Sequence, residues 1–543
     1  MNENLKRTIL VCCETGCIAN GSLEVAASLK AKVAELGENA NASVETLVKQ
    51  TGCIGFCGRG PLVRIMPDDI SYYRVRPKDI DEIIASLGGE PVERLLHRLD
   101  DGARITAQNE NPFYAPQIKL ALRNVGTIES GSLDDFQAHG GYAALEKALT
   151  MTPEQIISEV EKSGMRGRGG AGYPTGRKWR QAAENENFPK YIIMNGDEGD
   201  PGAFMDRSML EGDPHSVLEG IAICALAIGS ERAFLYIRDE YPSALQRMKT
   251  AVADAESAGI LGDSILGSGK ALHIEVIRGG GAFVCGESSA MIASIEGGVG
   301  EPRGRYIHST EEGLWGKPTI LNNVETFINI PLIINEGGER YAEIGTEDSK
   351  GTKVFALVGQ VKRTGLVEVP MGTTLREVIF DVGGGIPGKH SFKAVHTGGP
   401  SGGCLPETLL DVQVDFDSLT SHGSMMGSGG MVVMDETTCM VEAARYNVEF
   451  LAKECCGKCA PCREGLRWLL DILTDICEGR GTEADLVLIE EICETLRLAS
   501  RCALGKTAEN PVITTLKYFR DEYLAHIREK RCPAGVCGMG VEQ

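Results

Sequence analysis

Four cysteines fall within eight positions of the stretch Glu454-Cys455-Cys456-Gly457-Lys458-Cys459-Ala460-Pro461-Cys462-Arg463-Glu464-Gly465. Cys456, Cys459 and Cys462 recur at every third residue, so one tight loop can aim three thiolates at a single point. A cubane iron–sulfur cluster needs three such local thiolates and a fourth from elsewhere in the chain. Cys502, in Arg501-Cys502-Ala503-Leu504-Gly505, is the candidate fourth ligand. Thiolate spacing does not choose the metal, and a zinc knuckle uses the same side chains. Cys455 is left over. Whatever the metal, the fold must hold this loop rigidly against a distant segment.

The chain has 543 residues, enough for about three or four domains. Its net charge of −21 argues against a nucleic-acid partner, since such footprints are basic. Met1 to Leu10 lacks a long apolar core and a small-residue cleavage site, so no secretory signal is read there. The longest apolar run, Val217 to Ile228, contains Glu219 and is too short to span a bilayer. The 18 cysteines are clustered, which in a chain without an export signal reads as metal ligation before disulfides. A cytoplasmic protein without membrane insertion is expected.

Arg7 to Val11 predicts a strand that ends at Cys12-Cys13-Glu14-Thr15-Gly16-Cys17. Val25, Leu29, Val33 and Leu36 then share one helical stripe, with Gly37 a stop. Strands over Val44 to Val48 and Pro61 to Met66 flank Cys53-Ile54-Gly55-Phe56-Cys57. Two thiolates on each of two loops suit a 2Fe–2S cluster, with Cys12, Cys17, Cys53 and Cys57 as ligands. A redox disulfide or a structural zinc is the other reading, although the Cys-x-x-Cys redox spacing is absent. Cys13 is a spare, expected to turn away.

Further on, Arg166-Gly167-Arg168-Gly169-Gly170-Ala171-Gly172-Tyr173-Pro174-Thr175-Gly176-Arg177-Lys178-Trp179 concentrates glycine and positive charge. Glycines let backbone approach a ligand and point amides at phosphate, though such a loop can equally be a flexible turn. It fits neither the Rossmann nor the P-loop spacing. The strand Tyr191 to Met194 leads into Asn195-Gly196-Asp197-Glu198-Gly199-Asp200, where a ligand site, a metal site or a solvated turn could form. Phe234 to Ile237 and Ile274 to Ile277 are further strands, the second entering Gly279 to Ser288. Asn322, Asn323 and Thr326 follow, and the strand–loop–helix order predicts an α/β layer. Strands over Val354 to Val361 and Leu366 to Val369 predict a β-rich scaffold. Leu466, Leu469, Leu470 and Leu473, then Leu486, Ile489 and Leu496, are apolar stripes of a helical end, in which Cys477 and Cys493 read as packing residues. Cys224, in its apolar run, reads the same way. In the tail, His526, Cys532 and Cys537, joined by the spare Cys455, could complete a tetrahedral Cys3His zinc site, or remain free thiols.

Taken together, RGRGGAGYPTGRKW, NGDEGDPG, GLWGKPT with NNVET, and CGKCAPCREG resemble the flavoprotein (NADH-binding) subunit of respiratory complex I. The similarity extends to the β subunits of electron-bifurcating NAD(P)-linked hydrogenases and covers almost the whole chain. It implies a multidomain α/β protein: a thioredoxin-like 2Fe–2S domain (1–90), a linker (91–124), an FMN- and NAD(P)-binding α/β domain (125–349), a ubiquitin-like β-grasp module (350–430), a helical bundle with a 4Fe–4S cluster (431–530) and a tail with zinc ligands (531–543). Gly167, Gly169 and Lys178 would then hold the phosphate side of FMN or lie beneath the flavin. Asn195, Asp197 and Glu198 would face its ring and ribityl chain, Gly286 and Glu287 would border it, and Asn322, Asn323 and Thr326 would bind its phosphate end. Glu198 and Glu287 are the carboxylates expected nearest the chemistry.

Two departures from the family pattern stand out. Hydrogenase-type relatives often continue into a ferredoxin-like tail, whereas this chain stops at Gln543, so those clusters are expected to be absent or on another subunit. In the dinucleotide pocket the family's second Glu is Ser288 here, and its adenine-flanking aromatics are replaced by Gln181 and His308, while Tyr173 keeps one ring. Losing a carboxylate removes repulsion of a 2′-phosphate, and Arg303, Arg305 and His308 lie nearby in sequence. NADP(H) use is therefore expected. The resemblance further implies hydride exchange between NAD(P)(H) and FMN, a small thioredoxin-like 2Fe–2S subunit and a larger catalytic, hydrogenase-like subunit as partners, with ferredoxin one candidate acceptor. The contrasting expectation is an electron-relay scaffold whose dinucleotide site has degenerated.

Overall fold

The computed structural model describes residues 6–38, 46–304 and 307–539. Arg305, and the start of the strand expected from Val44, lie outside them. The strand Arg7–Cys12 is apolar on both faces and sits inside its sheet, between Thr46–Thr51, which runs parallel, and Leu62–Met66, which runs antiparallel. Ile70–Tyr73 adds a buried edge strand, too short to show a period of its own. The helix Ser22–Glu38 lays Val25, Ala26 and Leu29 on this sheet. The expected linker is anchored rather than free. Phe113 stacks on Phe56 with ring centroids 4.5 Å apart. The buried Glu368 carboxylate accepts the backbone N–H groups of Leu120, Ala121 and Leu122 at 2.8–2.9 Å.

The next sheet is all parallel, in the order Thr319–Asn323, Tyr191–Gly196, Arg232–Ile237, His273–Arg278. The chain starts at Tyr191–Gly196, builds outward on one side, and returns with Thr319–Asn323 on the other. That reversal opens a crevice at the carboxyl ends of Tyr191–Gly196 and Thr319–Asn323, where ligands bind in such sheets. The apolar run becomes the helix Pro214–Ile228, buried along its whole length. It packs against Val324–Glu336. Leu145 to Val160 forms two helices: Thr152 caps the second and Pro153 starts it, a box closed by Gln155.

A mixed sheet of Gly365–Pro370, Thr352–Gly359, Gly430–Asp435, Phe392–Thr397 and Gly403–Pro406 follows. A wholly buried ion pair, Lys353 with Glu325, fastens it to the helix Val324–Glu336. The chain ends in the helices Met440–Glu454, Ala460–Cys477, Glu483–Ala499, Asn510–Tyr518 and Arg520–Arg528. Leu466, Leu469, Leu473, Leu486, Ile489 and Leu496 are buried between them as the stripes predict, each worth about 1.5–3 kcal/mol of burial. Cys224, Cys477 and Cys493 are buried packing residues too. Among the described residues no helix is long and apolar enough to cross a membrane.

Candidate functional site

Asn195 and Asn323 lie at the carboxyl ends of the neighbouring parallel strands Tyr191–Gly196 and Thr319–Asn323 and face each other in register. Asn323 caps the helix Val324–Glu336 by accepting the Glu325 N–H at 2.9 Å, and its amide donates to Asp206 at 2.7 Å. Thr326, in the first turn, accepts the Arg168 N–H at 2.9 Å, which ties the glycine loop to the start of this helix. A side chain at Gly169 would press on the Asn323 Cβ at 3.0 Å, and one at Gly172, with φ +61°, would strike Phe416 at 2.7 Å. The loop must therefore be glycine to lie flat over a helix N-terminus, an arrangement suited to phosphate.

Asn195 spans the crevice: its amide donates to the Gly286 carbonyl at 2.9 Å and its oxygen accepts the Asp197 N–H at 3.0 Å. Lys178 is sunk below the loop and donates to the Leu321 carbonyl at 2.9 Å; burial lowers its pKa to about 8. Burial pushes the Asp197 carboxyl up to about 7, and its Oδ2 is buried without a hydrogen-bond partner. That orphaned acceptor is what a ligand hydroxyl in the crevice would satisfy, so the residues fit a flavin with a ribityl chain. Asn322, the strand neighbour of Asn323, is buried beside Lys178 and Trp179.

The two expected catalytic carboxylates both receive backbone donors. Glu198 accepts the N–H groups of Met205, Asp206 and Arg207 at 2.7–3.2 Å and the Tyr241 hydroxyl at 3.1 Å. Glu287 accepts those of Ser289 and Ala290 at 2.9 and 3.1 Å, capping Ser288–Ile295. Each fixes its loop at a helix start. Ser288 opens that helix, Tyr173 donates to Gln181 at 3.2 Å, and His308 precedes the short helix Ser309–Glu312. Arg303 is drawn 2.8 Å from Glu296.

Three groups of thiols lie outside this crevice. In the first domain Cys12 contacts Cys17 and Cys53, and Cys53 lies 3.4 Å from Cys57, while Cys13 turns into the sheet core with its thiol pushed up to about 11 by burial. In the helical bundle Cys455, Cys456, Cys459, Cys462 and Cys502 line one cavity with Val284, Pro302 and Arg501. Cys455 thus belongs here and not to the tail: its sulfur sits 3.1 Å from that of Cys462, whose hydrogen bond lowers its thiol to about 6. The residue that joins the tail instead is Cys439, just before Met440–Glu454. Cys439, His526, Cys532 and Cys537 present ligand atoms all within 4.8 Å of one another. Three of those separations are 3.4, 3.4 and 3.7 Å. A tetrahedral zinc with sulfur at 2.3 Å and nitrogen at about 2.05 Å has edges of about 3.8 and 3.5 Å. The other ring nitrogen of His526 meets the Glu522 carbonyl at 2.7 Å, the second contact that orients a metal-bound imidazole. Cys439 stands alone in the sequence, and only its place at a helix start hints at a role.

The crevice and the five-thiol cavity share a wall. Phe283–Gly286 borders the crevice through the Gly286 carbonyl, and Val284 lines the cavity. The Phe283 N–H donates to Glu454 at 2.9 Å and its ring meets that of Phe450 at 5.3 Å.

A flavin crevice backed by one thiol cavity, with a second four-thiol group in the first domain, defines a flavin- and iron–sulfur-containing oxidoreductase component. Residues 160–332 match the Nuo51 FMN-binding domain, 442–526 the NADH-ubiquinone oxidoreductase-F iron–sulfur binding region, 2–88 the thioredoxin-like [2Fe-2S] ferredoxin and 354–405 the SLBB domain. The NADP-reducing hydrogenase subunit HndC of Solidesulfovibrio fructosivorans is 53% identical over 78% of this chain and 86% of its own. A second relative, an F-type component of the NADH-quinone oxidoreductase of Rhizobium meliloti, is 46% identical over 76% of this chain and 99% of its own. An NAD+-reducing [NiFe]-hydrogenase in the H2-reduced state has a chain that superposes with TM-score 0.67 at 30% identity, covering 96% of this chain and 84% of that one. The chain belongs to the family of F-type NADH-quinone oxidoreductase components and their hydrogenase counterparts, and it binds FMN, a 2Fe–2S cluster and a 4Fe–4S cluster.

Proposed function

We propose that this protein exchanges hydride with NAD(P)(H) and passes the electrons singly to the bundle thiol site, within a hydrogenase-type complex that contains a small thioredoxin-like 2Fe–2S subunit and a larger catalytic subunit. The observation that carries the reading is the shared wall Phe283–Gly286 between crevice and cavity. Bound FMN supplies a two-electron acceptor able to release electrons one at a time. The protein positions and insulates. The glycine loop and the helix start at Asn323 receive the phosphate end, Asn195 and Asp197 hold the polyol side, and Glu198 and Glu287 lock the two loops that flank the ring. Cys456, Cys459, Cys462 and Cys502 hold the 4Fe–4S cluster, with Cys455 beside it, and Cys12, Cys17, Cys53 and Cys57 hold the 2Fe–2S cluster. Zinc takes Cys439, His526, Cys532 and Cys537 and ties the tail to the bundle.

Ser288 in place of a carboxylate favours NADP(H), because a 2′-phosphate dianion meets no like charge there. Coupling to ferredoxin by electron bifurcation, in the cytoplasm, completes the proposal. The test is steady-state oxidation of NADH and NADPH by the anaerobically purified protein with a dye acceptor. Bleaching of the flavin by either nucleotide supports an active dinucleotide site, and faster use of NADPH supports the preference. Full flavin and cluster content with no bleaching by either nucleotide would establish the relay scaffold instead.

A further inference from the structure

A cavity of about 530 Å³ opens where the first domain meets the segment that follows it, and it shares no lining residue with the flavin crevice. Among the described residues, seven cationic side chains and one carboxylate line it, in a chain whose net charge is −21. That carboxylate, Asp79, is already engaged by Arg94 and by the Arg76 N–H, both at 2.8 Å. Arg104 is likewise paired, with Glu93. Among the described residues Arg59, Arg74, Arg76, Lys78 and Arg98 have no carboxylate within ion-pair distance. Five uncompensated cations around one concavity repel each other, a cost that an anion would relieve.

The backbone enforces this crowding. Arg74 is held at φ +54°, a left-handed conformation unfavourable for a non-glycine residue, and its N–H donates to the Arg59 carbonyl at 2.9 Å. Two arginines are thereby locked side by side at the rim. The floor is made by Tyr73, Leu95, Leu96 and His97, all buried. Burial and the nearby Arg59 push the His97 pKa down to about 4, so the ring is a neutral, flat surface at neutral pH. A concave, apolar-floored site rimmed by guanidinium groups suits a compact molecule with several phosphates, since guanidinium forks match phosphate oxygens and the volume falls in the range of small-molecule sites. A flat basic face would suit an acidic protein better.

We propose that this cavity binds a small polyanion carrying two or more phosphate groups, either inorganic polyphosphate or a nucleoside polyphosphate.

The test is calorimetric titration of the anaerobic holoprotein with tripolyphosphate, ATP and AMP at low and moderate salt. Saturable one-site binding of tripolyphosphate or ATP, weakened by salt and weakened roughly tenfold or more in the double variant Arg98→Glu/Lys78→Glu, is expected. Equal affinities for ATP and tripolyphosphate would point to polyphosphate, and a much tighter ATP complex to a nucleotide; both support the site. The variant's folding is checked by its iron–sulfur absorption. Should that be lost, Arg76→Gln/Lys78→Gln at exposed positions serves in its place. No saturable binding of either phosphate compound, or binding unchanged in the variant, would overturn the proposal.

Discussion

The Phe283 N–H and the Glu454 carboxylate meet at 2.9 Å and join the loop that borders the flavin crevice to the helix that leads into the cysteine loop. The bond spans 171 residues of sequence, and Cys455 follows Glu454 directly. This contact, the Phe283–Phe450 pair and the ion pair of Lys458 with Glu301 together fix the two redox sites relative to each other.

Replacing Glu454 by Ala removes that acceptor at a cost of about 1 kcal/mol and loosens the wall. Flavin bleaching by nucleotide should proceed at its normal rate in Glu454→Ala, while bleaching of the cluster slows. Stopped-flow absorbance at flavin and cluster wavelengths separates the two steps.

Cys439→Ser should abolish stoichiometric zinc and lower the melting temperature, because a structural zinc contributes folding energy directly. Cys455→Ser should leave zinc untouched. Elemental analysis of both variants distinguishes the tail site built on Cys439 from one built on Cys455.

Lys353 and Glu325 are both completely buried, so removing one partner leaves the other charge unsatisfied. Lys353→Met should destabilise the protein by about 3–5 kcal/mol. A chemical-denaturation midpoint measures this. The double replacement Lys353→Met/Glu325→Leu should recover most of the loss, since the desolvation cost disappears with the charges.

Asp197 carries a pKa raised to about 7 by burial, against about 4 in an unfolded chain. The folded state holds this proton more tightly than the unfolded state. Its contribution to stability is complete below pH about 4 and declines as pH rises to about 7. In the flavin-free protein, Asp197→Asn should therefore gain stability relative to the parent across that interval and run parallel to it above. Denaturation midpoints at a series of pH values test the sign.

Ser288→Glu restores a carboxylate at the opening of the helix Ser288–Ile295. The ratio of kcat/KM for NADPH over NADH should fall by roughly tenfold or more, about 1.4 kcal/mol of discrimination. Unchanged ratios would remove Ser288 from the specificity argument.

Much of this molecule was legible before folding. Cys456, Cys459 and Cys462 lie close along the chain, and local spacing is enough to bring their sulfurs to one loop. The glycines at 169 and 172 and the apolar helical stripes are likewise local patterns, and each is found where its period places it. The grouping of distant residues could not be read this way. Cys439 joins a tail site across 98 positions, Asp79 ends among seven cations, and Glu454 supports a loop from another domain. Sequence periodicity records which face of an element is apolar. Which thiol, carboxylate or guanidinium ends beside which is decided only when those faces pack, because side-chain chemistry acts over a few ångströms of space and not over positions along a chain.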